Sequence, residues 1–81
     1  MKAKRSLCSV RPGERVVICE LRTEGSMRRR LLDIGLVPGT EVVCLGRSPC
    51  GDPTAYMIRG AVIAIRKKDC RNILISSSEE G

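Results

Sequence analysis

The cysteines are the residues of this chain best suited to chemistry, yet their spacing favours no thiolate site. The sequence contains no histidine and no C-x-x-C pair, and its five cysteines are Cys8, Cys19, Cys44, Cys50 and Cys70. Structural zinc sites usually draw paired ligands from short spacings, and Ser-His or Cys-His nucleophiles require an imidazole. We therefore predict no catalytic group, no cofactor and no bound metal, and a thiol-based metal or redox protein is the least favoured alternative.

The same cysteines indicate a reducing compartment, because their number is odd and they suggest no disulfide framework. Cys19 and Cys44 lie in apolar strand patterns and are predicted to be small core residues, whereas Cys50 lies in a Pro/Gly loop and is predicted to be exposed. The basic start of the chain precedes no apolar run of signal-peptide length. No segment approaches the ~20 apolar residues of a membrane span. We expect a cytoplasmic protein.

Three consecutive arginines could bind an anionic partner. Arg28, Arg29 and Arg30 lie in a helical pattern, in a chain of net charge +6. The planar guanidinium binds carboxylate or phosphate through two parallel hydrogen bonds. The functional interpretation is that these arginines contact acidic groups on a partner. The alternative is an amphipathic helix whose basic face is simply solvated.

A second candidate contact lies in the loop at residues 47–53, whose members Arg47, Pro49, Gly51, Asp52 and Pro53 we predict to bind the partner. Two prolines limit the freedom of the loop and so reduce the entropy lost when it binds. The alternative is a rigid hairpin connection in which Asp52 bonds to nearby backbone. We favour a preorganised recognition tip, since loops carry function more often than strands.

A helix with a clear end must position the arginines. Met27, Leu31 and Ile34 recur at helical spacing and predict a helix at residues 26–34, with Ser26 as its cap. Gly35 is predicted to terminate it in the left-handed conformation. Pro38 and Gly39 then suit a type II turn before the next strand. These turn residues are predicted to be architectural.

The rest of the chain predicts a mainly β fold. Apolar, β-branched segments indicate about five short strands, at residues 16–21, 41–45, 54–59, 61–66 and 72–75. A short helical turn capped by Ser6 is expected at residues 6–10. Five strands and one helix in 81 residues favour a small SH3-like antiparallel barrel. We expect a lead at residues 1–6, one domain at 7–75 and a disordered tail at 76–81.

The central motifs resemble those of a known family. Residues 29–42 match R-x-L-x-x-x-G-hydrophobic-x-P-G-x-x-hydrophobic, residues 49–53 match P-x-G-D-P, and an apolar strand ends at Arg66. In this order and spacing the motifs resemble the FeoA family, small cytoplasmic accessory proteins of bacterial ferrous-iron uptake. Cys50 departs from the pattern, because the family often has leucine there. The resemblance covers the chain from about Leu7 to Ile75.

The resemblance implies an SH3-like barrel with an inserted helix and a non-enzymatic role beside FeoB, a membrane transporter with a cytosolic GTP-binding domain. Recruitment to the inner face of the membrane would follow from that partner. Metal binding is a label of the family for which no ligand set is evident in this chain.

Two other functions stay open. The first is a basic nucleic-acid-binding barrel, to which the cluster of Arg66, Lys67, Lys68 and Arg71 could contribute, although bases usually stack on aromatic rings and Tyr56 is the only aromatic residue. The second is a detached copy of the SH3-like domain of iron-dependent repressors. An exposed edge strand could also support weak self-association.

Overall fold

A computed structural model describes residues 5–77 of the chain. Its strands are β1 (Arg5–Ser6), β2 (Arg15–Leu21), β3 (Glu41–Arg47), β4 (Thr54–Ile58), β5 (Ala61–Ile65) and β6 (Ile73–Ser77). A 3₁₀ turn covers Leu7–Ser9, and the helices are α1 (Gly25–Ile34) and α2 (Lys67–Cys70). The strands form one antiparallel sheet in the order β1-β6-β2-β3-β4-β5.

The mainly β prediction is confirmed, with differences at both ends of the chain. The described residues contain six strands because Arg5 pairs with Ile75 and Ser6 with Leu74. So short a polar strand carries no periodicity and is recognisable only through its neighbour. The last strand runs to Ser77 rather than Ile75, so the tail expected from residue 76 is wrong at its first two positions. The remaining expected tail, 78–81, and most of the expected lead, 1–4, lie outside the described residues.

Helix α1 begins and ends as its sequence predicts, within one residue. The N–H of Gly35 donates to the carbonyls of Leu31 and Leu32, and the N–H of Leu36 donates to that of Leu31. This is a Schellman motif, and it needs the left-handed φ of +112° that Gly35 adopts. Leu31 and Leu36 are both buried and provide the accompanying apolar contact.

Neither predicted serine cap forms through its side chain. Ser6 precedes the 3₁₀ turn, but its hydroxyl lies 2.9 Å from the Sγ of Cys8 instead of on a backbone N–H. At α1 the flanking residue is Glu24, again without a side-chain cap, and Ser26 lies inside the helix. Gly25 takes a φ of +68° at the start of the helix. The helix therefore begins at Gly25, one residue before the predicted start at Ser26.

Two equivalent Pro-Gly turns hold the central strands β2 and β3 together. The N–H of Thr40 donates to Val37 across the turn at Pro38 and Gly39, and Gly39 has a φ of +96°, as the predicted type II turn requires. The N–H of Gly39 also donates to the carbonyl of Ile18 on β2. The turn at Pro12 and Gly13 does the reverse, because the N–H of Gly13 donates to the carbonyl of Cys44 on β3.

The core lies on the concave side of this sheet and is almost entirely aliphatic. Tyr56 on β4 is 1% exposed and is its largest side chain. Its hydroxyl donates to the carbonyl of Leu7 at 3.4 Å, which ties β4 to the N-terminal turn. Leu36 and Leu31 add the end of α1 to the same cluster. The core therefore joins helix α1, strands β2 to β6 and the 3₁₀ turn.

Candidate functional site

The three arginines of α1 do not form one patch. Successive helical residues are about 100° apart around the axis, so Arg28, Arg29 and Arg30 diverge. Arg28 Nη1 donates to the carbonyl of Leu21 at 3.3 Å, which anchors the helix to the end of β2. Arg28 thus has a structural contact, whereas the side chain of Arg29 is exposed and makes no hydrogen bond or ion pair with another described residue.

Arg30 lies on the other flank of α1, beside strand β5. It lines a groove of about 160 Å³ between the helix and the strand. The floor is apolar and the rim carries Arg66 and Asp69. The fold thus brings Arg30 next to Arg66, which belongs to the second basic cluster of the sequence.

The loop at residues 47–53 is held at both ends by backbone hydrogen bonds. The N–H of Ser48 donates to the carbonyl of Pro53 at 3.0 Å, and the N–H of Gly51 donates to that of Ser48 at 2.8 Å. Pro49, Cys50 and Gly51 are exposed at its tip. The prediction of an exposed Cys50 is confirmed.

Asp52 has a defined structural contact in the described fold. Its Oδ1 accepts a hydrogen bond of 2.8 Å from the backbone N–H of Lys67, the first residue of α2. The carboxylate so occupies the position of a helix cap, although it comes from a distant loop. Asp52 therefore bonds to backbone, but to the first residue of α2, fifteen residues away, and not to the nearby backbone that the hairpin alternative expected. The loop is thereby fixed to α2.

Helix α2 connects the two predicted partner-binding regions. Lys67 shares a small cavity with Arg47 and Gly51 on one side. Arg66, the residue before it, shares the groove with Arg30 on the other side. We call the residues Arg30, Arg47, Arg66 and Lys67 the basic band; all four are exposed. The sequence places these residues in three separate segments, and only the fold brings them together around α2.

Arg59 is a residue that the sequence patterns did not single out. It occupies the turn between β4 and β5 with a φ of +51°. Its side chain lies over Gly35, so closely that a Cβ at residue 35 would be 2.5 Å from the Cδ of Arg59. Arg59 also borders a shallow depression of about 560 Å³ beside Pro38, Gly39 and Met57. The Arg-Gly pair at residues 59 and 60 is a turn signal that could have marked it.

The cysteines are free and lie in different environments. The prediction of a core position is confirmed for Cys44 but is wrong for Cys19, which is half-exposed. Strand β2 is buried on one face only, and Cys19 follows Val17 on the outward face, whereas the continuous apolar run indicates burial on both faces. Among the described residues, no three of the cysteines or carboxylates come together as a metal site.

Cys70 is the most enclosed thiol with a polar neighbour. Its Sγ lies 3.4 Å from the hydroxyl of Tyr56, and it donates to the carbonyl of Ile65 at 3.8 Å. Burial raises the pKa of Cys70 to about 11 and raises the pKa of Tyr56 further still. Neither group is prepared for nucleophilic chemistry, which needs a thiolate near neutral pH.

An ion pair closes the N-terminal segment. The two terminal guanidinium nitrogens of Arg5, Nη1 and Nη2, donate to the carboxylate of Glu14 at 2.8 and 3.2 Å, and the backbone N–H of Arg11 donates to it at 3.0 Å. These hydrogen bonds, that of Arg5 first, lower the pKa of Glu14 to about 2. The pair attaches β1 to the turn before β2.

Comparison with known proteins decides the family. A family profile described as the FeoA domain matches residues 5–77. The chain belongs to the FeoA domain family. A curated relative supports this, with 31% identity over 75 residues that cover 89% of this chain. That relative is the Fe(2+) transport protein A/Fe(2+) transporter FeoB fusion protein of Porphyromonas gingivalis, and the chain spans only 9% of its length.

Solved structures agree with the fold. The FeoA-like protein of Clostridium acetobutylicum has 32% identity and a TM-score of 0.85, covering 96% of this chain and 91% of its own. The FeoA of Stenotrophomonas maltophilia, described as an SH3 domain protein complexed with zinc, has 20% identity and a TM-score of 0.79. It covers 89% of both chains and shows the fold alone. The SH3-like FeoA fold predicted from the sequence is confirmed.

One observation concerns the membrane. Within residues 5–77, neither helix has the length and apolar character needed to cross a bilayer.

Proposed function

We propose that this FeoA-family chain is a non-enzymatic accessory domain that binds and modulates an FeoB-type GTP-binding membrane transporter in ferrous-iron uptake, at the cytoplasmic face. The fusion relative carries the proposal, because it joins a sequence like this one to FeoB in a single polypeptide. Covalent fusion raises the effective concentration of one part at the other, which serves two parts that work together.

The chemistry of the described residues supports a binding role. Among these residues, no three cysteines or carboxylates come together as a metal site, and burial raises the pKa of Cys70. The net charge of +6 favours an acidic partner surface. We place the contact on the basic band and on the exposed tip of the 47–53 loop, which lies beside it at Arg47 and Gly51.

The predicted partner residues divide within this proposal. Arg30 and Arg47 are its charged contacts, and Pro49, Gly51 and Pro53 shape the tip. Arg28 and Asp52 act indirectly, by holding α1 and α2 in place. Arg29 is exposed outside the groove and makes a peripheral contact at most.

The direct test titrates the labelled chain with the soluble GTP-binding domain of its cognate FeoB-type transporter and with the full transporter in lipid nanodiscs. We expect saturable binding to at least one, weakened several-fold by Arg47→Glu. Arg59→Glu is the matched control, since it makes the same charge change at the opposite end of β4. Absence of binding to both forms of the transporter would refute the proposal.

The nucleic-acid alternative is tested in parallel. A mobility-shift series with random DNA and RNA at low salt should show no retardation of the probes. Binding through phosphate contacts would instead be tight at low salt and fall steeply as salt rises, through counterion release. Such a result, with no transporter binding, would favour the alternative.

A further inference from the structure

Strand β5 leaves an unpaired backbone edge in the described fold. It is the last strand of the sheet order, next only to β4. Arg59 and Gly60 form a two-residue turn with positive φ, so Ile58 and Ala61 exchange hydrogen bonds. The alternation then points the N–H and C=O groups of Val62 and Ala64 away from β4.

This edge lacks the usual protection against pairing. Natural edge strands commonly carry lysine, proline or a bulge. Strand β5 reads Ala-Val-Ile-Ala-Ile and pairs with β4 in unbroken register. Val62 is 61% exposed beside the free groups. Among the described residues, neither Val62 nor Ala64 makes a further hydrogen bond.

The edge opens onto the groove between α1 and β5. Met27, Leu31 and Ile34 of α1 line one wall, and Ile63 and Ile65 form the floor. Ala64 also borders the groove. Its volume of about 160 Å³ is roughly five times the share of one water molecule in the liquid. It can accept one aliphatic side chain from a strand laid beside β5.

The charges on the rim select the occupant. Arg30 and Arg66 outweigh Asp69, so the rim is net positive and complements carboxylates. A second copy fits less well. Antiparallel pairing of two β5 strands about Ile63 would bring Arg66 of each copy next to the turn that carries Arg59 of the other. Like charges would then meet at both ends of the added ladder.

We infer that β5 and α1 form a docking site for an extended protein segment that pairs with β5, inserts an apolar side chain into the groove and carries acidic residues at its ends. Main-chain bonds to Val62 and Ala64 provide the affinity, and the groove and its arginines provide the selection. The inference does not depend on FeoB, because any partner with such a segment would fit.

The test uses two short synthetic peptides of alternating valine and threonine, one ending in glutamates and the other in lysines. Each is titrated into the isotope-labelled chain and followed by amide chemical shifts and hydrogen exchange. We expect the acidic peptide to shift the amides from Ala61 to Ile65 and to slow exchange at Val62 and Ala64. The lysine-ended peptide should bind at least several-fold more weakly.

Variants separate backbone pairing from charge. Ala64→Pro removes the outward N–H of residue 64 without removing a hydrogen bond to β4. It should weaken the binding of the acidic peptide about ten-fold. Arg30→Gln and Arg66→Gln should each weaken the binding of that peptide about two- to five-fold. Arg29→Gln, on the same helix but outside the groove, should leave it unchanged.

Three results would overturn the inference. The first is equal binding of both peptides, and the second is full binding by Ala64→Pro with its native spectrum retained. The third is protection of Val62 and Ala64 that rises with protein concentration in the absence of peptide, since a second copy would then be the occupant. If Ala64→Pro does not fold, the arginine variants and peptide pair still decide the outcome.

Discussion

The hydroxyl of Tyr56 and the thiol of Cys70 lie 3.4 Å apart inside the core, and both also bond to backbone carbonyls. The pair joins β4 to α2, while the carbonyl of Leu7 adds the N-terminal turn. Polar atoms in an aliphatic core are costly unless they are hydrogen-bonded. This contact is therefore a polar junction on which three elements converge.

The thiols should differ sharply in reactivity. Cys50 is exposed, whereas Cys44 and Cys70 are buried. In native protein we expect alkylating reagents to modify Cys50 first. The buried thiols should react only when the domain unfolds, and therefore at least about a thousand-fold more slowly than Cys50. Mass spectrometry of timed samples reads this directly, with denatured protein as the control. Early modification of Cys70 would contradict its buried placement.

Alkaline pH should destabilise the domain through Cys70. Its folded pKa of about 11 lies above the pKa of about 8.5 of an unfolded thiol. Between these values the unfolded chain binds fewer protons, so stability falls as pH rises. We expect a loss of roughly 3 kcal/mol from this group over the whole interval, since each pKa unit is worth about 1.4 kcal/mol.

Urea titrations from pH 8 to 11 provide the measurement for this alkaline loss. In the Cys70→Ala variant, the free energy of unfolding should change less in the lower part of this pH range. Near the upper end, the domain should still lose stability, because the pKa of Tyr56 is raised in the folded state. A wild-type profile that is flat over this range would be inconsistent with the buried pair.

Acid should destabilise the domain through Glu14. Its folded pKa of about 2 lies below the ordinary value of 4.5, so the contribution is complete above pH 4.5 and disappears as the pH falls to about 2. The pair is part-exposed, so we expect roughly 1 kcal/mol, reduced further by salt.

The matched variant for this pair is Glu14→Gln, which should lose that stability at neutral pH and show a flatter profile below pH 4.5. Thermal unfolding at stepped pH measures both. Parallel profiles for the variant and the wild type would exclude this pair as the source.

Glycine should be needed at residue 35 for two separate reasons. Gly35→Ala faces a φ of +112° and a close approach to the Cδ of Arg59. We expect about 1–2 kcal/mol of destabilisation from the backbone and a smaller further loss from the contact, because the exposed side chain of Arg59 can move. Gly39→Ala is the matched control, since its φ is +96° and nothing lies within 4 Å. Adding Arg59→Ala to Gly35→Ala should restore only the steric part. Equal losses at both glycines would argue against the Arg59 contact.

Asp52 should matter through its oxygen rather than its charge. Asp52→Ala removes the acceptor for the N–H of Lys67 and should cost about 1 kcal/mol, as for a lost helix cap. Asp52→Asn keeps an acceptor and should stay close to wild type. Denaturant midpoints, with amide exchange at Lys67, separate the two. Similar losses from both substitutions would indicate that the charge carries the effect.

Local chemistry accounts for the elements that could be predicted. The Schellman end of α1 at Gly35 and the type II turn at Gly39 follow from glycine's access to positive φ. Strands β2 to β5 follow from β-branched runs between turn signals. Strand β1 and the last residues of β6 could not be predicted, because polar residues enter a strand only through pairing with a neighbour distant in sequence.

The sequence by itself determined the family, the fold class and the residues with charges to offer. It could not assign partners to those charges. Arg28 bonds to Leu21 and Asp52 to Lys67, while Arg30 and Arg66, far apart in the chain, share one groove. Only the tertiary structure decided this. Turns and helix ends depend on residues within one turn of each other, whereas a surface site depends on which separate segments the buried core holds side by side.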